Sequence, residues 1–523
     1  MLVEDERSIR GTPPYHVLAG LKPRGAAGRE VPVRLVDAHD ASCLSVRRHC
    51  GGSSVAASPM AHRLDDLRDA ARLAFWLDDP RAPAPAPPLV GSTTADLAVV
   101  GGGFTGLWTA LLAKERGPNR DVVLLDADRC GWAATGRNGG FCSASLTHGR
   151  SNGESRFPSE IARLEELGRE NLDEIEATVT RLQIDCAFER TGDIVMATEP
   201  YQVAELRQLA ESENRGADDV EFLERDAVRA EVASPSYLAG LWDRSSVALL
   251  NPARLAWGLR RACLDAGVRI FEHSPVDALA DSGRVTLRTP HGQVVADRVA
   301  LATNAYPSPV HRLRRYIVPV YDYVLMTEPL TPAQLNDIGW RNRQGLGGAG
   351  NLFLYYRLSE DNRILFGGYD AIYHYGNGLR PSLEDRPQTF ARLLELFDTT
   401  FPQLDSVAFT HAWAGAIDTC TRFCVFFDRS SSGRVVSAAG FTGLGVGASR
   451  FAAQVLGDLA SGADTERTRL SFVRKKPLPF PPEPFRYAGI QATRRSLATA
   501  DQREGRRNLW LRTLDRVGLG FDS

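Results

Sequence analysis

Residues 101–106 read GGGFTG, and this stretch decides the fold of the 523-residue chain. It follows an apolar run, DLAVV, at residues 96–100 and precedes LWTALLAKERG, which has the composition of a helix. A second apolar run, DVVLLD, comes next and ends at Asp126. A strand, a glycine turn, a helix and a strand in this order predict a βαβ unit.

The turn has the G-x-G-x-x-G spacing of a dinucleotide-binding site. Three glycines at this spacing let the chain turn tightly, let the backbone approach a pyrophosphate and let the helix pack on the strand. Asp126 follows Gly106 by 20 residues, where a carboxylate can accept hydrogen bonds from ribose hydroxyls. A βα turn without a ligand is the alternative, but this context favours a dinucleotide. The predicted contacts are Gly101, Gly103, Phe104, Thr105, Gly106 and Asp126.

The segment at residues 134–140, ATGRNGG, indicates which dinucleotide is bound. Here the chain resembles FAD-dependent oxidoreductases of the glycine/D-amino-acid oxidase (DAO) superfamily, in which a similar segment runs along the flavin. The likeness continues at residues 301–305 (LATNA) and 440–447 (GFTGLGVG). In the last of these, a helix N-terminus near the isoalloxazine would stabilise negative charge on the reduced ring. The resemblance implies FAD contacts from Ala134, Thr135, Arg137, Asn138, Gly139, Gly140, Val276, Ala302, Thr303, Gly443, Leu444, Gly445 and Val446.

The resemblance also implies the fold and the reaction. The fold is α/β, a Rossmann-type FAD-binding domain with a second, mostly antiparallel β-sheet substrate domain. The strings GGGFTGLWTA, GRNGG and FGGYDAIYHYG look most like glutamylputrescine oxidase-like and aminophosphonate oxidoreductase members. Such enzymes pass hydride from the C–N bond of a small amine or amino acid to flavin N5, and the imine is then hydrolysed. A flavoenzyme acting on a non-amine donor and a non-catalytic electron-transfer subunit stay open as alternatives.

Two further expectations concern the flavin. In the sarcosine oxidase branch a Cys near the final strands links covalently to FAD. Here the aligned position is Gly415, although Cys420 and Cys424 are close in sequence, so we expect non-covalent FAD. The electron acceptor is oxygen or another carrier.

Tyrosines are concentrated where the substrate domain is expected. Nine of the thirteen lie between Tyr306 and Tyr375. If one strand continues through residues 367–375, Tyr369 and Tyr373 share a face with Tyr375. A ring-lined cavity attracts a cationic amine and excludes water, whereas the filling of an ordinary core is the alternative interpretation.

Two polar residues complete the predicted pocket. Arg357 is a candidate partner for a substrate carboxylate or phosphonate, and a structural ion pair is the alternative. His148 follows the ATGRNGG segment closely and is a candidate proton-handling group or a hydrogen-bonded structural residue. The pocket candidates are Tyr355, Tyr356, Arg357, Tyr369, Tyr373 and His148.

Composition excludes several classes of protein. The net charge is −2, so nothing in the overall charge suggests a nucleic-acid partner. No apolar run is long enough to span a membrane, and the first residues, MLVEDERSIR, lack the features of a secretory signal. Eight single cysteines without zinc spacing lead us to expect a reducing, cytoplasmic setting with no metal. The four lysines are Lys22, Lys114, Lys475 and Lys476.

The distribution of lysine bears on the chemistry. No lysine lies at residues 115–474, which excludes lysine Schiff-base chemistry from that segment. Some oxidases of the superfamily use a lysine near the flavin to assist oxygen activation. The resemblance therefore implies a dehydrogenase or a slow oxidase, unless one of the remaining lysines folds back to the ring.

Composition shifts also predict the domain boundaries. Residues 1–59 are expected to be a disordered extension, and residues 60–95 a helix (LDDLRDAARLAFWLDD) followed by a Pro-rich linker. The tail is arginine-rich and is expected to pack as helices on its own domain, with docking on an anionic membrane or an acidic partner as the alternative. The predicted FAD domain is residues 96–150, 226–306 and 405–465; the substrate domain is 151–225 and 307–404; the tail is 466–523.

Overall fold

The GGGFTG turn joins a buried strand to a buried helix in the computed structural model, as the sequence predicts. The structure describes residues 64–520 apart from Asp66, residues 214–218 and Phe353. The extension expected at residues 1–59 lies outside these described residues.

The strands form three sheets. In chain order they are β1 (Gly91–Val100), β2 (Val122–Leu125), β3 (Phe141–Ser143), β4 (Asp193–Ala197), β5 (Val220–Glu224), β6 (Ala239–Asp243), β7 (Val247–Leu249), β8 (Arg269–Phe271), β9 (Ala278–Ser282), β10 (Arg284–Thr289), β11 (Gly292–Leu301), β12 (Val318–Thr327), β13 (Gly345–Gly348), β14 (Leu354–Leu358), β15 (Ile364–Gly368), β16 (Ile372–Tyr373), β17 (Phe409–Thr419), β18 (Phe426–Arg429) and β19 (Val435–Ala439).

The helices lie mostly between these strands. They are α1 (Phe104–Arg116), α2 (Ala134–Arg137), α3 (Arg150–Arg156), α4 (Ile161–Arg181), α5 (Pro200–Glu213), α6 (Arg225–Glu231), α7 (Pro252–Asp265), α8 (Pro332–Ile338), α9 (Pro387–Thr400), α10 (Gly445–Ser461), α11 (Glu466–Arg469), α12 (Ser471–Arg474), α13 (Phe485–Asp501) and α14 (Leu509–Arg516). Short 3-10 turns lie at Phe75–Leu77, His311–Tyr316, Pro381–Leu383 and Pro402–Leu404.

The first sheet has the strand order β18-β19-β11-β1-β2-β8. Strand β1 lies parallel to both β11 and β2, which is the arrangement of a Rossmann-type domain. Helix α1 packs against α7 and α10, and the three helices share a buried core with the strand residues Val99 and Leu124. This confirms the predicted nucleotide-binding fold.

The second sheet has the order β16-β12-β15-β14-β13-β4-β6-β5, with β17 also pairing with β12. Its pairs are antiparallel except for β13 and β4, so the expectation of a mostly antiparallel sheet is confirmed. Both sheets belong to one compact unit of the chain.

Sheet membership departs from the predicted boundaries in two places. Strands β6 and β17 pair in the second sheet, although the segments 226–306 and 405–465 were expected to belong to the FAD domain. Conversely, α4 packs on α10 beside the first sheet, and Asn171 donates a hydrogen bond to the Gly447 carbonyl over 3.0 Å. The chain crosses between the two sheets more often than composition reveals.

The prediction of a helix at residues 64–79 is wrong for most of that range. The backbone N–H of Ala71 donates to the Thr410 carbonyl over 2.9 Å, and the Ala71 carbonyl accepts from Ala412 over 3.0 Å. These bonds to β17 use groups that a helix would need for itself. Trp76 is buried in the adjoining cluster.

Between residues 466 and 516 lie the helices α11, α12, α13 and α14, of which α13 and α14 pack against each other. None of the helices in the described part of the chain has the length and apolar character that a membrane crossing requires.

Candidate active site

A cavity of about 1550 Å³ is lined by residues of both large sheets. From the first sheet come Val100, Leu125 and Ala302 at the carboxyl ends of parallel strands, where doubly wound sheets bind their ligands. From the second sheet come Val195 and Tyr355. Ordinary small-molecule pockets measure roughly 300 to 1,000 Å³, so this cavity has room for a dinucleotide and a second molecule.

The glycines of the turn are required by close backbone approach. Gly101 has φ +108°, and a Cβ there would lie 2.3 Å from the Ala302 carbonyl oxygen. A Cβ on Gly106 would lie 1.8 Å from the Gly101 carbonyl oxygen. Gly101, Gly103, Phe104 and Thr105 line the cavity, whereas Gly106 lies outside its wall and allows helix α1 to meet strand β1.

Asp126 lies at the end of β2, on the cavity wall. Its Oδ2 accepts from the Gly102 N–H over 2.6 Å, and its Oδ1 accepts from the Asp128 N–H over 2.8 Å. Burial raises the pKa of Asp126 to about 6, and these hydrogen bonds limit the rise. The predicted residues Val276, Ala302 and Thr303 line the cavity as well.

Two buried indoles hold the ATGRNGG segment in place. Trp76 Nε1 donates to the Asn138 carbonyl over 2.8 Å, and Trp413 Nε1 donates to the Arg137 carbonyl over 2.9 Å. Five predicted residues of the segment line the cavity: Ala134, Thr135, Arg137, Asn138 and Gly139. The sixth, Gly140, has φ +78° and packs behind the wall, because a Cβ there would lie 2.2 Å from the Leu250 carbonyl oxygen.

The C-terminal glycine turn meets the same cavity. Gly443, Leu444, Gly445 and Val446 line it, and helix α10 begins at Gly445. Behind the turn, Asp418 accepts from the Gly440 N–H over 2.6 Å and from the Phe441 N–H over 3.2 Å. These three glycine-rich elements provide backbone donors and space free of side chains, which fits a bound dinucleotide.

Three of the six pocket candidates line the cavity: Tyr355, Tyr369 and His148. The strand that was expected to carry Tyr369, Tyr373 and Tyr375 on one face ends at Gly368, and Tyr369 has φ +77°. That expectation of a shared face is therefore wrong. Burial lowers the pKa of His148, which favours the neutral form of its imidazole.

The other three candidates lie outside the cavity wall. The hydroxyl of Tyr356 is buried in the core, 2.7 Å from the Tyr237 hydroxyl. Arg357 is also buried and donates to the Leu250 carbonyl over 2.8 Å and to the Gly140 carbonyl over 3.2 Å. Tyr373 donates to Glu483 Oε1 over 2.5 Å. Each polar group thus has a partner within the protein, and Arg357 holds the backbone carbonyls of Gly140 and Leu250.

The residue that sequence reasoning missed is Asp322, in the middle of β12. Its carboxylate lies on the cavity wall and accepts a hydrogen bond from the Tyr355 hydroxyl. Burial raises the pKa of Asp322 to about 6, and the bond from Tyr355 limits the rise. The available signal was a single acid inside the apolar run VPVYDYVLMT at residues 318–327.

The three lysines within the described residues lie away from the cavity wall. Lys114 Nζ donates to the carbonyls of Pro118 and Arg120 over 2.6 and 3.0 Å. Lys476 pairs with Asp428, and Lys475 follows helix α12. Across the described ranges, no group of three or more His, Cys, Asp or Glu residues could hold a metal ion.

Comparison with known proteins shows the family to which the chain belongs. The family described as "FAD dependent oxidoreductase" (DAO) matches residues 96–459. The gamma-glutamylputrescine oxidoreductase of Escherichia coli is 33% identical over 404 residues, which are 76% of this chain and 90% of the relative. A probable oxidoreductase, OrdL, of Haemophilus influenzae is 29% identical over 401 residues, which are 75% of this chain and 88% of the relative.

Solved structures show the same fold. The glycine oxidase of Geobacillus kaustophilus superposes with a TM-score of 0.61 at 19% identity and covers 73% of this chain and 99% of its own. The L-proline dehydrogenase of P. horikoshii superposes with a TM-score of 0.58 at 16% identity, covering 73% and 96%. The chain therefore belongs to the DAO family and is an FAD-dependent oxidoreductase.

Proposed function

We propose that the protein oxidises the C–N bond of a small amine whose cationic nitrogen is bound beside Asp322. FAD, when bound, accepts a hydride at N5. The bound ammonium ion first loses a proton, which the Asp322 carboxylate beside it accepts. Loss of the hydride from the carbon next to the now neutral nitrogen would then leave a protonated imine, which water hydrolyses to a carbonyl compound and an amine or ammonia. The protein contributes binding, orientation and exclusion of water.

The carboxylate of Asp322 is the observation that carries this proposal. With a pKa of about 6, it is ionised at neutral pH and attracts a cation. Asp193 and Asp243 line the same cavity, and burial raises the pKa of Asp193 to about 7. Tyr355 also lines this cavity, and an aromatic ring attracts a cation over its face. Tyr369 lines the cavity as well, but Arg392 already lies over its ring, 5.1 Å from the centroid.

An anionic substrate group has less support. Arg137 lines the cavity but donates to Glu384 over 2.6 Å, and Arg494 donates to Asp370 over 2.6 Å. Arg357, the expected carboxylate partner, lies behind the wall. The cavity wall as a whole carries eight acidic residues and five arginines, and this balance favours an amine over an amino acid that would need its carboxylate bound.

We also propose that the predicted cofactor residues hold the FAD. The predicted residues that line the cavity would contact the FAD, and Gly106 and Gly140 allow the backbone to pack closely behind the cavity wall. The start of α10 places backbone N–H groups of residues 445–446 at the cavity, where a helix N-terminus stabilises negative charge. The candidate FAD contacts on the wall are Gly101, Gly103, Phe104, Thr105, Asp126, Ala134, Thr135, Arg137, Asn138, Gly139, Val276, Ala302, Thr303, Gly443, Leu444, Gly445 and Val446.

The test is anaerobic mixing of the FAD-loaded protein with a panel of donors, followed by flavin absorbance. The panel contains monoamines, polyamine conjugates, N-methylated amino acids, aminophosphonates, a hydroxy acid and reduced nicotinamide. We expect bleaching by amines that lack a carboxylate. Bleaching only by the hydroxy acid or nicotinamide would favour the non-amine alternative, and resistance to every donor would favour a non-catalytic subunit.

A further inference from the structure

The two C-terminal helices form a wall of the cavity that lies beyond the family match, which ends at residue 459. Side chains from α13, from α14 and from the turn after α14 line the same cavity as Gly101 and Tyr355. The apolar ones include Ile490, Leu497, Trp510, Leu514 and Leu519, and the polar ones are Arg486, Thr493 and Arg494. We call the part of the cavity that they enclose the tail chamber.

Helix α13 rests over the cavity instead of packing into a core. Of its 17 residues only Ala500 is buried, although Ile490 and Leu497 lie on the cavity wall. Apolar side chains of a surface helix ordinarily pack against other apolar groups. Here Ile490 and Leu497 are partly exposed to the cavity. An apolar group of a ligand in the chamber would therefore bury them.

Polar bonds hold α13 at both ends to loops of the second sheet. Asp501 Oδ1 accepts from the Asn351 N–H over 3.0 Å, after β13. Arg494 Nε donates to Asp370 over 2.6 Å, after β15, and Glu483 accepts from the Gly376 N–H over 3.1 Å. These contacts fix the wall on the substrate side of the cavity.

The polar groups of the tail chamber are already satisfied. Trp510 Nε1 donates to Thr493 Oγ1 over 3.0 Å. Arg494 is held by Asp370, and its second nitrogen donates to Gln491 Oε1 over 2.8 Å. Arg486 also lines the cavity and donates to the Pro481 carbonyl over 3.0 Å and to Asn377 Oδ1 over 2.8 Å. The chamber surface is therefore mainly apolar, with hydrogen-bonded arginines at one side.

We infer that the tail chamber binds an apolar arm of the substrate, an alkyl or aryl group remote from the reacting nitrogen. Ile490, Leu497, Trp510 and Leu514 then determine which amines bind productively. This inference rests on the proposed function in one respect: the arm belongs to the amine held beside Asp322. Continuity of the cavity between Tyr355 and Trp510 supports that connection.

The experiment measures binding to the full-length, FAD-loaded protein through the change in flavin absorbance. One ligand series is the n-alkyltrimethylammonium ions from ethyl to hexyl, which have no N–H and a nitrogen without a lone pair. A parallel series is the neutral n-alkanols of the same lengths. We expect the dissociation constant of the wild type to fall about fourfold per added methylene.

Leu514→Asn and Leu509→Asn form a matched pair on α14. Leu514 lines the chamber, whereas Leu509 is 76% exposed and lies off the cavity wall. We expect less than a twofold change per methylene in Leu514→Asn and the wild-type dependence in Leu509→Asn. Trp510→Ala gives a second removal of chamber surface, and thermal unfolding reports whether each variant is folded.

The outcomes separate this inference from the proposed function. Wild-type dependence in Leu514→Asn and in Trp510→Ala, or no dependence on chain length in either series of the wild type, overturns the chamber. If the alkanols keep the dependence while no amine bleaches the flavin, the chamber stands and the proposed function falls. If amines bleach the flavin without any effect of chain length on binding, the proposed function stands and the chamber is rejected.

Discussion

The hydroxyl of Tyr355 crosses strand β15 to donate a hydrogen bond to Asp322 on β12. The ring can cross because residue 367 is glycine, where a Cβ would lie 2.9 Å from the Tyr355 hydroxyl. On its other side the ring meets Gly139, where a Cβ would lie 2.6 Å from Tyr355 Cε2. One tyrosine thus joins the ATGRNGG segment to the proposed amine site.

Tyr355→Phe is expected to raise the pKa of Asp322 above about 6, because the hydrogen bond that favours the ionised carboxylate is lost. Asp322 then ionises at higher pH, so the acid limb of kcat/KM for a cationic amine moves upward. The loss of activity is larger at pH 6 than at pH 8. The measurement is the pH profile of kcat/KM.

Tyr356→Phe is the matched control for this change. Tyr356 is the next residue but faces the core, where its hydroxyl lies 2.7 Å from that of Tyr237. We expect a loss of about 1 kcal/mol in the free energy of unfolding and an unchanged pH profile. An equal displacement of the profile in both variants would contradict the assignment of Tyr355.

Asp322→Asn is expected to lower kcat/KM for cationic amines by about 10- to 100-fold, which corresponds to a lost hydrogen bond to a charged group. The FAD content should be unchanged, because the proposed cofactor residues lie on other elements. Steady-state kinetics and flavin-to-protein ratio are the readouts. Retention of full activity in a flavin-loaded variant would remove Asp322 from the amine site.

Non-covalent FAD is expected to stay in the supernatant after acid precipitation. The six cysteines in the described part of the chain are free and buried. Cys420 lies off the cavity wall, and burial raises the pKa of its thiol to about 11, which suppresses the nucleophilic thiolate. Yellow colour that remains with the precipitate would show a covalent link and reject the prediction.

Air reoxidation of the reduced protein is expected to be slow. Lys114, Lys475 and Lys476 lie off the cavity wall, so they do not provide the flavin-side lysine that assists oxygen in some relatives. Stopped-flow mixing of the reduced protein with air-saturated buffer measures this rate, and a quinone or dye acceptor gives the comparison. Reoxidation faster with oxygen than with these acceptors would indicate an efficient oxidase.

Arg260→Met is expected to destabilise the protein by about 3–5 kcal/mol at pH 7, because it leaves Glu272 buried without its cation. Burial alone would raise the pKa of Glu272, but hydrogen bonds from Cys130, Ala86 and Arg260 lower it below 4.5. The carboxylate thus stabilises the fold above pH 4.5, and this contribution is lost as the pH falls further.

Urea unfolding at pH 7 and pH 4 measures this effect. The difference between Arg260→Met and the wild type should shrink at the lower pH, since Glu272 becomes protonated first in the variant. Arg469→Met provides the control, because its pair with Asp464 is exposed to solvent and contributes little to stability. Equal costs for the two variants would argue against a structural role for the buried pair.

Local patterns predicted the Rossmann-type unit, because glycine spacing and apolar runs act over a few residues. The structure of residues 64–79 could not be predicted in this way, since the backbone of Ala71 pairs with β17, more than 300 residues later. Tyr355 and Arg357 lie two apart on one strand, yet only Tyr355 reaches the cavity. Arg357 donates hydrogen bonds to the carbonyls of Gly140 and Leu250, and no local sequence pattern predicts a contact between residues so far apart in the chain.

The proposed tail chamber and the proposed cofactor contacts lie in different parts of the sequence. The last proposed cofactor contact is Val446, whereas the chamber wall is formed by α13, α14 and the turn after α14. Hydrogen bonds hold this wall to surface loops. On this proposal, substitutions in α13 and α14 change which amines bind and leave the proposed FAD contacts intact.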